Sequence, residues 1–105
     1  MLVRIDGDAV QLSAGGHAVD FHGVQGRLLR ALAVERTPCA WAPLASRVWT
    51  DRADWDLLRS RLDTTVSRIR RRLKEAGLTP SLLRTNGAGG FVLALELRDV
   101  VDVVA

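Results

Sequence analysis

The chain has a single cysteine, Cys39, so no internal disulfide can form among its 105 residues and a reducing compartment is the expected setting. No run approaches eighteen uninterrupted apolar residues, which leaves no helical membrane span and no expected membrane partner. The opening Met1-Leu2-Val3-Arg4-Ile5-Asp6 lacks the long apolar stretch of a secretory signal, so a cytoplasmic location is expected. Histidine is scarce. His17 and His22 lie five residues apart with Cys39 far along the chain, a spacing unlike that of zinc ligands, and no metal or other cofactor is expected. Cys39 reads as a small packed residue and not as a reactive thiol. No serine–histidine–acid set, carboxylate pair or thiol with a base can be assembled, so no catalysis is expected. Gly87-Ala88-Gly89-Gly90 is followed by a strand-like run and not by a helix, which argues against a phosphate-binding loop.

What the sequence does contain fits one domain, spanning residues 1–105, with a core over about 3–95 and a tail at 96–105. Its charge is unevenly placed. Seven basic residues between Leu57 and Glu75 (Arg59, Arg61, Arg68, Arg70, Arg71, Arg72, Lys74) face only Asp63 and Glu75, a local net of +5. The total is +3, so the remainder carries −2. One positive surface on a slightly acidic body is the pattern expected when the partner is a polyanion.

Short alternating segments fill the first twenty-one residues: Leu2, Val3 and Ile5, then Val10 and Leu12, then Val19 and Phe21, separated by Asp6-Gly7-Asp8 and Ser13-Ala14-Gly15-Gly16. They predict a small antiparallel meander that needs a cover on one face. From Val24 to about Glu35 the apolar period becomes helical, with Arg27, Arg30 and Arg36 outward and Thr37-Pro38 as the stop. A second, short helix opens near Pro43 and turns Leu44, Ala45, Val48 and Trp49 inward. Asp54 or Asp56 is placed to cap a third. In that third helix Leu58, Leu62, Val66, Ile69 and Leu73 form one apolar stripe, and Gly77 and Pro80 mark its end. Two strand-like runs, Leu82–Thr85 and Phe91–Leu95, flank the glycine-rich tip and predict a hairpin; the valine-rich segment 100–104 is β-prone without an evident place.

Opposite the apolar stripe of the third helix the period puts Arg61, Thr64, Thr65, Arg68, Arg71 and Arg72, with Arg59 and Arg70 on the flanks. A helix fits the major groove of B-form DNA, where arginine pairs with guanine O6 and N7 and threonine methyls meet thymine; arginines toward the far end reach phosphates. Trp41, Trp49 and Trp55 could together form a base-stacking platform, but Trp49 falls in the helical core pattern, and packing is the better reading for the other two.

In this order of elements the chain resembles the C-terminal effector domain of OmpR/PhoB-type response regulators, which also begins the chains of Streptomyces antibiotic regulators. The likeness is carried by Leu28-Leu29, by Leu44 with Val48-Trp49, by the segment Leu62–Leu73 and by Asn86-Gly87-Ala88-Gly89-Gly90-Phe91, and runs from about Val3 to Leu95. It implies an α+β winged helix-turn-helix: an N-terminal antiparallel sheet, three helices and a C-terminal β-hairpin wing. It also implies sequence-specific binding of double-stranded DNA in a bacterial transcriptional regulator, as single, tandem or homodimeric copies. By position, Arg68 would contact a base beside Arg61, Thr64 and Thr65. Arg70 and Arg72, with Arg59 and Arg71, would hold phosphates. Arg84, Asn86, Gly87, Ala88 and Gly89 would form the wing. The loop with Asp51, Arg52, Asp54 and Trp55 would meet RNA polymerase. Three departures stand out: Asn86 replaces the usual wing arginine, the polar cap expected on the second helix falls at Ala40-Trp41-Ala42, and the wing tip carries an extra glycine. Each removes a DNA contact, so a winged helix used for protein binding is the alternative.

Overall fold

The computed structural model describes every residue except Arg52, Ala88, Leu97 and Ala105. Three strands, β1 (Leu2–Asp6), β2 (Ala9–Ala14) and β3 (His17–Phe21), pair as an antiparallel meander. Alternation decides which face is buried: Val3, Ile5, Val10, Leu12 and Phe21 point into the core, while Leu2, Arg4 and Asp6 face out. Between the paired Ala14 and His17, Gly15 and Gly16 both take left-handed φ, 57° and 82°, the requirement of a tight two-residue loop.

Helix α1 (Gly23–Glu35) covers this face with Leu28, Leu29, Leu32 and Ala33. The approach is closest at Gly26, where any side chain would run into the Asp8 carbonyl of the β1–β2 turn. Arg36 ends the helix in the left-handed region at φ 57°, its N–H on the Leu32 carbonyl at 3.0 Å. A two-residue strand, β4 (Cys39–Ala40), then leads into α2 (Trp41–Val48), which buries Leu44, Ala45 and Val48.

Helix α3 (Trp55–Glu75) is capped by Asp54, whose Oδ1 accepts the Leu57 N–H at 2.8 Å. Its stripe of Leu58, Leu62, Val66, Ile69 and Leu73 is buried against the rest of the core, and each such side chain contributes roughly 1.5–3 kcal/mol. At the other end Leu78 N–H reaches the Leu73 carbonyl (2.9 Å) and Gly77 N–H the Lys74 carbonyl (3.1 Å), a Schellman closure permitted by φ 81° at Gly77.

After a 3-10 turn at Pro80–Leu82, strands β5 (Leu83–Thr85) and β6 (Gly90–Leu93) form an antiparallel hairpin, and β6 pairs on its other side with β4. The tail becomes β7 (Val100–Val103), parallel to β1, so the larger sheet runs β3-β2-β1-β7 and is mixed, not purely antiparallel. Near that edge the Asp99 N–H donates to the Glu96 carbonyl at 3.0 Å. Arg36 Nη2 donates to the carbonyls of Glu96 and Asp99, both at 3.1 Å. The Asp99 carboxylate accepts from the Met1 ammonium (2.8 Å) and from Glu96 N–H (2.7 Å). The result is an α+β domain of three helices and two sheets, in which α3 lies with one long side against the core and the other outward.

Candidate nucleic-acid interface

The outward side of α3 divides into three strips, and only the middle one is open. On the strip facing the β5–β6 hairpin, the Arg59 guanidinium lies 5.3 Å from the Trp41 ring centre and 5.7 Å from that of Phe91, with Nε 3.3 Å from the Asp63 carboxylate. Next along, Arg70 Nε donates to the Leu83 carbonyl at 3.0 Å, tying α3 to β5. Both side chains are half-buried and bonded within the fold, Arg70 through Nε alone.

The strip facing α1 is likewise occupied. Arg72 donates to Gln25 Oε1 (3.2 Å) and to the Asp20 carbonyl, and its guanidinium stacks on Phe21 at 4.6 Å. Thr65 is buried at 7% exposure with its Oγ1 donating to the Arg61 carbonyl (2.8 Å), so it does not face outward as the helical period predicted. Arg61 places Nη1 on both carboxylate oxygens of Asp51, at 2.9 and 3.0 Å. Thr65 and Arg72 turn inward because they sit at the edges of the apolar stripe, where neighbouring elements supply acceptors and rings.

The middle strip holds Ser60, Thr64, Ser67 and Arg71, spaced four, three and four apart, with Arg68 beside them; all are exposed. Among the described residues, Arg68, Arg71 and Lys74 have no hydrogen-bond or ionic partner. Asp63, the one carboxylate bordering the strip's centre, already faces Arg59. A groove of about 330 Å³ runs along the α1 side of the strip, between Val24, Gln25 and Trp49 on one bank and Ser60, Arg61, Thr64 and Arg68 on the other. Ser60 and Ser67 are the residues of the strip that the arginine and threonine pattern passes over. Their signal was the complement of the stripe, since 60, 64, 67 and 71 mirror the buried 58, 62, 66, 69 and 73.

No protein-family model and no curated protein matches this sequence. The site therefore rests on its own geometry.

At the hairpin, Asn86 is built into the tip: its N–H donates to the Gly90 carbonyl (3.1 Å) and its Oδ1 accepts Gly90 N–H (2.9 Å). Gly87 and Gly89 take left-handed φ of 76° and 77°, and the Gly89 carbonyl accepts the Trp41 N–H at 3.1 Å. So the residue standing where an arginine was expected closes the loop, and the loop in turn covers the uncapped start of α2, which Ala40 leaves without a side-chain acceptor. Arg84 is exposed on β5 with Nε on the Ser81 carbonyl at 3.0 Å. Ala88 lies outside the described residues.

In the α2–α3 connection, Asp51 holds Arg61 and Asp54 caps α3, while Arg52 lies outside the described residues. Trp55 begins α3, 58% exposed, edge-on to Trp41 with ring centres 5.9 Å apart. Trp41 and Trp49 are half-buried and pack against the core. Cys39 is half-buried in β4, and its thiol is pushed up from its ordinary value, first by burial and then by the Glu35 carboxylate, with Arg47 partly offsetting both. Among the described residues no cluster of histidine, cysteine or carboxylate side chains could hold a metal, and no helix is long and apolar enough to cross a membrane.

Proposed function

We propose that this domain is a winged helix of the OmpR/PhoB type that binds double-stranded DNA in a bacterial transcriptional regulator, with α3 in the major groove and the β5–β6 hairpin beside the backbone. The observation that carries the reading is the open strip Thr64–Ser67–Arg68–Arg71, short side chains and unpartnered guanidinium groups on a 21-residue helix. Thr64 and Ser67 let the helix backbone approach base edges. Arg68 is placed for a base and Arg71 and Lys74 for phosphates. In this reading Arg59, Arg70 and Arg72 position the helix and make no phosphate contact, and no catalytic step is assigned.

The test is selection of bound sequences from random duplex DNA, followed by Arg68→Ala. A recovered motif, with the variant losing about 1–3 kcal/mol on the motif and less on random DNA, is the expected result. Equal losses on both would remove Arg68 from base reading.

A second reading, a winged helix that docks on a protein, is favoured by one observation: Trp55 and Leu57 stand exposed at the start of α3, 58% and 45%, beside the exposed Asp56. RNA polymerase is the partner the family resemblance names for that region. Failure to shift any duplex, with binding to a protein lost on Trp55→Ala, would select this alternative.

A further inference from the structure

The contact between Arg61 and Asp51 admits two opposite meanings for a DNA-binding face. It could withhold a cation, or it could aim one. The geometry points to the second: we infer that Asp51 is a positioning residue that presents Arg61 to a guanine in the major groove. This rests on the DNA-binding reading above.

Only one nitrogen of Arg61 is spent. Nη1 straddles both Asp51 oxygens at 2.9 and 3.0 Å, and no other described residue bonds Nε or Nη2. A guanidinium has five N–H donors in a rigid plane, so holding one corner fixes the plane and leaves the Nε–Nη2 edge as a ready two-donor fork. That fork matches the O6 and N7 acceptors of guanine. Arg61 lines the same groove as Thr64 and Arg68, which places it beside the unpartnered arginine. The side chain is 32% exposed, enough to be reached and too little to swing freely. An arginine held this way loses less rotamer entropy on binding than a free one, which strengthens the contact that its fixed plane can make.

Asp51 also brings a negative charge to the rim of a polyanion site. Its removal therefore separates the two meanings. With the selected duplex and a scrambled one, Asp51→Ala is expected to lose about 5- to 150-fold in preference at a single G·C pair while binding the scrambled duplex as well as the wild type does, or better. Arg61→Ala is expected to lose the same base pair, and the double variant to be no worse there than Arg61→Ala alone. Asp51→Asn, which keeps one acceptor oxygen, should retain part of the preference. Thermal unfolding of Asp51→Ala should stay close to the wild type, since Asp51 is exposed and a single contact of this kind is worth only about 0–1 kcal/mol. If Asp51→Ala tightens both duplexes equally and leaves the base preference intact, the aspartate merely withholds Arg61 and the inference is overturned, with DNA binding standing. If the wild type binds no duplex at all, the functional reading fails and the inference with it.

Discussion

Under the proposed DNA-binding function, salt dependence discriminates sharply between the helix as its composition describes it and the helix as it folds. Each phosphate neutralised releases counterions, and log K falls with log salt by about 0.9 per phosphate. If all seven basic residues of the segment Leu57–Glu75 met phosphates, affinity would drop roughly 6,000-fold between about 50 and 200 mM salt. The structure leaves Arg68, Arg71 and Lys74 unpartnered there; with Arg68 on a base, Arg71 and Lys74 on phosphates lower the expected slope to about −1.8 and the loss to about 12-fold. One further contact from the exposed Arg84 would raise the loss to about 40-fold. Fluorescence anisotropy on a short labelled duplex across that salt range reads the slope directly. Arg72→Ala supplies the control: its guanidinium is committed to Gln25, Asp20 and Phe21, so the slope should not move while unfolding becomes easier by about 1–2 kcal/mol. A slope steeper than about −5, or one that flattens on Arg72→Ala, would mean that the internally bonded arginines swing out to DNA and would refute this account of the site.

Other outcomes follow from the same geometry. Gly26→Ala should destabilise the domain in urea unfolding. The gain in helix propensity is only about 1 kcal/mol, whereas the new methyl overlaps the Asp8 carbonyl and forces α1 off the β1–β2 turn at a cost of about 1–3 kcal/mol. Asp99 is held below the usual carboxylate range, first by the Met1 ammonium and then by the Glu96 N–H. A depressed folded value contributes stability above the unfolded value of about 3.9 that is lost as pH falls through the folded one, so Asp99→Asn should flatten that part of the acid-unfolding profile. Cys39, with its thiol pushed up by burial and Glu35, should be alkylated at neutral pH more slowly than a free thiol, and Glu35→Gln should speed the reaction. A rate equal to that of a small-molecule thiol would show that the site is neither dry nor acidic.

Local chemistry was enough to read most of the scaffold. The β1–β2–β3 meander follows from alternation and two glycine turns, and α3 from a stripe with an aspartate cap at one end and Gly77 at the other, because each of these signals acts within a few residues. The hairpin was legible for the same reason. Strand β7 was not. Its place beside β1 depends on Arg36, Asp99 and Met1, residues up to 98 positions apart, and no short-range pattern encodes such a meeting. The parallel edge of the larger sheet is thus a purely tertiary result.

The candidate site divides in the same way. Which side of α3 is polar follows from the 3.6-residue period, so the sequence alone determined that arginines crowd one side of this helix and that Thr64, Arg68 and Arg71 stand away from the core. Which of those arginines stay available was decided only on folding. A guanidinium reaches several ångströms from its helix, and its fate depends on the ring, carbonyl or carboxylate that another element brings within that reach: Trp41 and Phe91 for Arg59, Leu83 for Arg70, Phe21 and Asp20 for Arg72, Asp51 for Arg61. The period of a helix says where a charge begins, and only the packed neighbours say where it ends.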